Sequence, residues 1–149
     1  MPHTLVLVVD TADRPLAALP ADAVLAQGLL HRRVLAVSIQ ADGRLLLRRH
    51  QGVWFPAAAG MVKAMEGAEE AVERLLHATD APIHLLTILP PSASLRAFVW
   101  VFVVHAEAAV ADAVAVDHEE MTALVERYPD QVAPELKHAW EAGALLLKA

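Results

Sequence analysis

Residues Phe98 to Val104 read Phe-Val-Trp-Val-Phe-Val-Val, apolar at every position. Successive side chains of a strand point to opposite faces, so a run without a polar member predicts a strand buried on both sides. A sheet enclosed in that way needs a layer of structure over each face. The uncharged stretch, Ala97 to Val104, falls far short of the roughly 18 residues of a membrane-spanning helix. A chain of 149 residues, 56% hydrophobic and 20% charged, suits one domain with a substantial core.

Charge and composition narrow the function classes. Twelve basic against 18 acidic side chains leave a formal net charge of −6, where a nucleic-acid binder carries a basic surplus or stripe. Two short basic clusters, His31-Arg32-Arg33 and Arg48-Arg49-His50, read as solvated strand ends. Dense apolar content argues against disorder. Without cysteine there is no disulfide framework, thiolate metal site or cysteine nucleophile, which fits a reducing compartment. Met1-Pro2-His3-Thr4 lacks the cationic start of a secretory leader, and the apolar run from Leu5 ends at Asp10. The expectation is a cytoplasmic protein with neither a nucleic-acid nor a membrane partner.

Local patterns predict a mixed α/β order. Leu5–Val9 and Leu16–Leu19 read as short strands around the break at Asp13-Arg14-Pro15, and Ala21–Leu29 as one or two helical turns. Arg33–Gln40 and Leu45–Arg49 read as a hairpin closed by Asp42-Gly43, a pair suited to tight turns. Residues 50–66 read as loop, with Gly52, Pro56 and Gly60 as breakers. A helix is expected from Ala68 to about Thr79, and a strand over Ile83–Leu89. Asp117 and Glu120 have capping-box spacing at the start of a helix running to about Arg127. The last helix is expected over Pro134–Leu147. Helices then cover a central sheet.

The segment from Gly60 through Glu66 and Arg74 to Pro82 resembles the Nudix box. Gly60, Glu66 and Arg74 fall at the box spacings, and Leu76 fills its apolar position. The strand ending in Leu-Leu-Leu-Arg-Arg, followed by Trp54-Phe55-Pro56, agrees with the family's approach to the box. His31-Arg32 upstream, with Tyr128-Pro129-Asp130 and Pro134 in the tail, is similar to its isomerase-like branch. The resemblance spans nearly the whole chain and implies a Nudix-type α/β/α sandwich with a mixed central sheet.

The same alignment exposes departures. Where the family carries three glutamates, this chain has Leu75, Ala78 and Thr79, and Ala81 replaces the following Gly. The family's glutamates hold divalent cations, and hard cations such as Mg²⁺ need oxygen ligands to activate water. At about 100° per residue, Ala68, Ala71, Val72, Leu75, Leu76, Ala78 and Thr79 make one nearly apolar helix face. Glu69, Glu70, Glu73, Arg74 and His77 take the rest of the circle.

Each retained element has two readings. Gly60 is either a turn needing positive φ or a backbone position facing a metal or phosphate, and Glu66 is the other weak metal candidate. Glu66 and Arg74 form either a structural ion pair at the helix start or part of a catalytic set. Trp54 and Phe55 are partly core, unless Trp54 stacks on a ligand ring. Arg48, Lys63 and Arg96 are candidates for phosphate oxygens. His118 sits beside Asp117, Glu119 and Glu120, a pattern that reads as capping and dipole compensation.

The resemblance therefore implies a catalytically impaired protein, one that binds a small-molecule diphosphate or nucleotide or serves a regulatory role, with no metal expected. The alternative is an active diphosphohydrolase, using Mg²⁺ or Mn²⁺ through Glu66 with Glu107, Glu119 or Glu120 from outside the box. Isomerase chemistry of the isopentenyl diphosphate type needs a cysteine that is absent. A homodimer that buries surplus apolar surface is compatible with each reading.

Overall fold

A computed structural model describes residues 4–76, 82–104 and 113–145. Its first sheet contains β1 (Leu5–Val9), β2 (Pro15–Pro20), β3 (His31–Val37), β6 (Ala58–Met61), β7 (Ile83–Leu89) and β8 (Ala97–Val104). The order is β2-β1-β3-β8-β7, with β6 also paired to β3. β3 and β8 run parallel from His31↔Ala97 to Val37↔Val103, whereas the remaining pairs are antiparallel. A second sheet of three strands has the order β5-β4-β9, with β4 at Leu45–His50, β5 at Val53–Phe55 and β9 at Val114–Val116.

The enclosed strand behaves as its composition requires. Ala97, Val99 and Val101 of β8 join a core with Leu35, Leu45, Leu47, Met121 and Leu136. Phe102 and Val104 face the opposite core, with Val34, Ala36, Ala71 and Val72. Helix α2 (Ala68–Leu76) covers that second face. The first face is covered by β4, by α3 (His118–Arg127) and by α4 (Pro134–Glu141). A smaller cluster of Val6, Val8 and Val24 seats α1 (Ala21–Gln27). The architecture is a mixed α/β sandwich, as expected.

Several local expectations change. The Asp42-Gly43 turn forms, with Gly43 at φ 88° and Gln40 N–H donating to Arg44 O at 2.8 Å, but its arms separate into different sheets after the Ile39↔Leu45 bridge. The stretch 50–66, read as loop, contains β5 and β6, because Arg33–Ala36 of β3 accept Ala58–Met61 as a partner. The His31-Arg32-Arg33 cluster is no solvated strand end. His31 is buried, Arg32 pairs with Asp13 at 3.0 Å, and Arg33 with Glu135 at 2.8 Å. Arg48, Arg49 and His50 are exposed, as read.

Helix α3 begins with the full capping box. Asp117 accepts from Glu120 N–H at 2.9 Å, and the Glu120 carboxylate accepts from Asp117 N–H at 3.1 Å. The last helix ends at Glu141, earlier than expected, with Gly143 in the left-handed region. Among the described residues no helix is long and apolar enough to cross a membrane.

Candidate functional site

The box-like segment builds a tight local structure. Glu66 precedes α2 and accepts both Nη2 and Nε of Arg74, at 2.7 and 3.1 Å, together with the backbone N–H of Lys63 at 2.8 Å. Arg74 also donates from Nη2 to the carbonyl of Met61, at 3.0 Å. Burial pushes the Glu66 carboxyl upward. The hydrogen bonds from Arg74 and Lys63, with the charges of both, outweigh burial and hold it below the ordinary range. These contacts lock the strand-to-helix connection and use the Glu66 oxygens as structural acceptors.

Gly60 does not need positive φ. It lies in β6 opposite Val34, and its requirement is close approach. A Cβ there would stand 3.1 Å from Leu75 Cδ1. Ala68, Ala71 and Val72 are buried on the same helix, and Leu75 is half-buried against their cluster. The predicted apolar face is therefore core over its described part; Ala78 and Thr79 lie outside the described residues.

Beside Leu75 is a cleft of about 140 Å³, lined by Arg48, His50, Phe55, Pro56, Ala58, Ala59 and Leu75. At about 30 Å³ per water-sized group it takes roughly five such groups, enough for one phosphoryl head. Strand β4 delivers Arg48 and His50 side chains from its exposed end, and β5 pairs antiparallel with it, placing Phe55 opposite Arg48. The imidazole of His50 meets Phe55 edge-on, with ring centroids 6.3 Å apart. Among the described residues no carboxylate lines this cleft.

Of the sequence-predicted binding residues, Arg48 alone lines it. Trp54 points to the other side of β5. The Arg49 guanidinium lies 5.7 Å from its ring centroid, its carbonyl accepts Ala133 N–H, and it bridges Val132. Phe55, one residue later, supplies the aromatic wall instead. Lys63 is exposed beyond β6, and Arg96 lines a separate cavity beside His31. Glu120 is used by its cap. Glu119 lines a shallow depression on α3 with His118, Thr122 and Glu126. Glu107 lies outside the described residues.

Mg²⁺ or Mn²⁺ does not fit the described residues here. Leu75 offers hydrocarbon, and Glu66 is committed to Arg74 and Lys63. Among the described residues, no group of three or more His, Asp or Glu gathers as a candidate metal site.

Sequence reasoning missed a buried polar chain on the opposite face of β3. Arg33 Nε donates to His31 Nε2 at 2.9 Å, and Arg33 Nη1 to Glu135 Oε2 at 2.8 Å. His31 Nδ1 is 3.0 Å from the Leu29 carbonyl, which makes Nδ1 the protonated nitrogen of a neutral ring. Burial pushes the His31 pKa down, Leu29 opposes this, and the Arg33 charge adds to it against Glu135. The alternating spacing of His31 and Arg33 was the available signal, since it puts both on one face of a strand.

No protein-family profile matches the chain, and no curated protein matches it. Among solved structures, DR0079 from Deinococcus radiodurans, determined by crystallography at 1.9 Å resolution, is similar with a TM-score of 0.76. The identity is 18%, over 93% of this chain and 97% of that one. At this identity the likeness is one of fold, and the α/β sandwich described above is shared over nearly the whole of both chains.

Proposed function

We propose that this chain is a Nudix-like domain that binds a small-molecule diphosphate or nucleotide without hydrolysing it. The observation that carries the reading is the cleft beside α2. Arg48 and His50 line it, and Leu75 rests on Gly60 where the family presents a metal-holding glutamate. An Arg guanidinium suits phosphate oxygens in geometry and charge, and Phe55 offers a flat apolar wall. One phosphoryl group enters the cleft, and the rest of the ligand lies over its rim. A cysteine-free chain acting on such a partner suits the cytoplasm. A homodimer is a further part of the reading, supported by the outermost strand β7, which exposes Leu85, Leu86 and Ile88.

Activating water for attack on phosphorus requires a metal or a base positioned at the cleft. Among the described residues, His50 is the one lining side chain able to accept a proton, Arg48 being permanently charged, and no described carboxylate of the lining orients its ring. The active-hydrolase alternative is weakened because Glu66 and Glu120 are already engaged, while Glu119 lines a different depression.

The test is a phosphate-release assay over nucleoside diphosphates and nucleotide sugars with Mg²⁺ or Mn²⁺, run beside calorimetric titration with ADP. The expected result is ADP binding without turnover, weakened about tenfold by Arg48→Met. EDTA-sensitive turnover would overturn the reading, as would ADP binding indifferent to Arg48→Met.

A further inference from the structure

A second cavity lies where α1, the start of β3, the β7–β8 connection and the start of α4 meet. It measures about 280 Å³ and shares no lining residue with the cleft beside α2. At about 30 Å³ per water-sized group it holds on the order of ten heavy atoms. Its walls divide by chemistry. Val24, Leu29 and Leu95 make an apolar side, and His31, Arg33 and Arg96 make a polar one.

The polar side is held in advance. His31 and Glu135 are both buried, and between them they accept two of the five guanidinium hydrogens of Arg33. Among the described residues, Arg33 Nη2 has no hydrogen-bond partner, and it belongs to a side chain that is 12% exposed. The guanidinium is thus anchored through Nε and Nη1, while Nη2 keeps its donors. An arginine positioned in this way gives its remaining donors to a planar anion with little ordering cost.

Charge counting limits the anion. Glu135 balances Arg33, so among the described residues the cavity wall carries the net charge of Arg96 alone. A doubly charged phosphate would bring an excess negative charge close to Glu135, while a single carboxylate is matched. From this we infer that the cavity is a binding site for a small monocarboxylate with a flat or branched apolar body. The carboxylate meets Arg33 and Arg96, and the apolar body packs between Val24, Leu29 and Leu95. The inference does not depend on the diphosphate reading, which concerns other residues.

The test uses 4-fluorobenzoate as probe, read by ¹⁹F NMR line broadening, with 4-fluorobenzyl alcohol as the uncharged counterpart. The expected result is saturable binding of the benzoate and at least about tenfold weaker binding of the alcohol. Arg96→Gln is a surface change that leaves the fold intact, and it weakens the benzoate about tenfold. The paired variant Arg33→Met with Glu135→Leu removes the buried fork without stranding a charge, and it abolishes saturable binding. Equal binding of the two probes, no benzoate binding, or binding unchanged in both variants would overturn the inference. Displacement of the benzoate by inorganic pyrophosphate would do so too, since that places the probe in the cleft beside α2.

Discussion

At Leu75 a hydrocarbon side chain rests on the Gly60 backbone, with 3.1 Å between its Cδ1 and the place a Cβ would occupy. That contact makes the position one of packing, and it sets a local test. Gly60→Ala forces Leu75 to shift and costs about 1 kcal/mol, at the low end for overpacking. In a Leu75→Ala background the same change costs nothing measurable, and a denaturant double-mutant cycle reads the coupling. His31 gives a second test. Its folded pKa lies below the ordinary value near 6.5, with burial the main cause. Below that value the unfolded ring gains a proton that the folded ring refuses, so its contribution is complete above about pH 6.5 and is lost on acidification. The stability gap between wild type and His31→Gln therefore narrows from about pH 8 to about pH 5. A constant or widening gap would contradict the neutral-ring assignment.

Among elements, β3 and α4 are joined by an ion pair between residues far apart in sequence. Arg33 and Glu135 side chains are 12% and 4% exposed. Breaking a buried pair leaves one charge without compensation, so Arg33→Met alone destabilises by about 3–5 kcal/mol. Adding Glu135→Leu restores most of that loss, measured by urea unfolding. This pair also marks where sequence legibility ended. The apolar run of β8, the buried face of α2 and the Asp117 cap were readable because each is encoded within one element. β5 and β6 were not, since three- and four-residue strands interrupted by Gly52, Pro56 and Gly60 depend on distant partners. The hairpin expectation erred for the same reason: the Asp42-Gly43 turn is local, but the sheet each arm joins is decided by β8, β6 and β9. At the site, Arg48 was legible as an exposed cation beside the box, whereas the choice of Phe55 over Trp54 rests on which face of a short strand meets the cleft.

Across the whole molecule, the central sheet separates two recesses of different character. One, beside α2, presents Arg48 and His50 beside a helix whose described inward face is apolar. The other, between α1 and α4, presents an arginine fork held by a buried acid and a neutral histidine. Neither recess has a described cluster of acidic side chains in its lining, a shared property that suits the anion binding proposed for each. The decisive measurement is anomalous diffraction from crystals grown with Mn²⁺ and ADP. Density for the diphosphate against Arg48, with no manganese peak beside Leu75, is the predicted result. A manganese peak there, coordinated by two or more carboxylates of the chain, would contradict binding without hydrolysis.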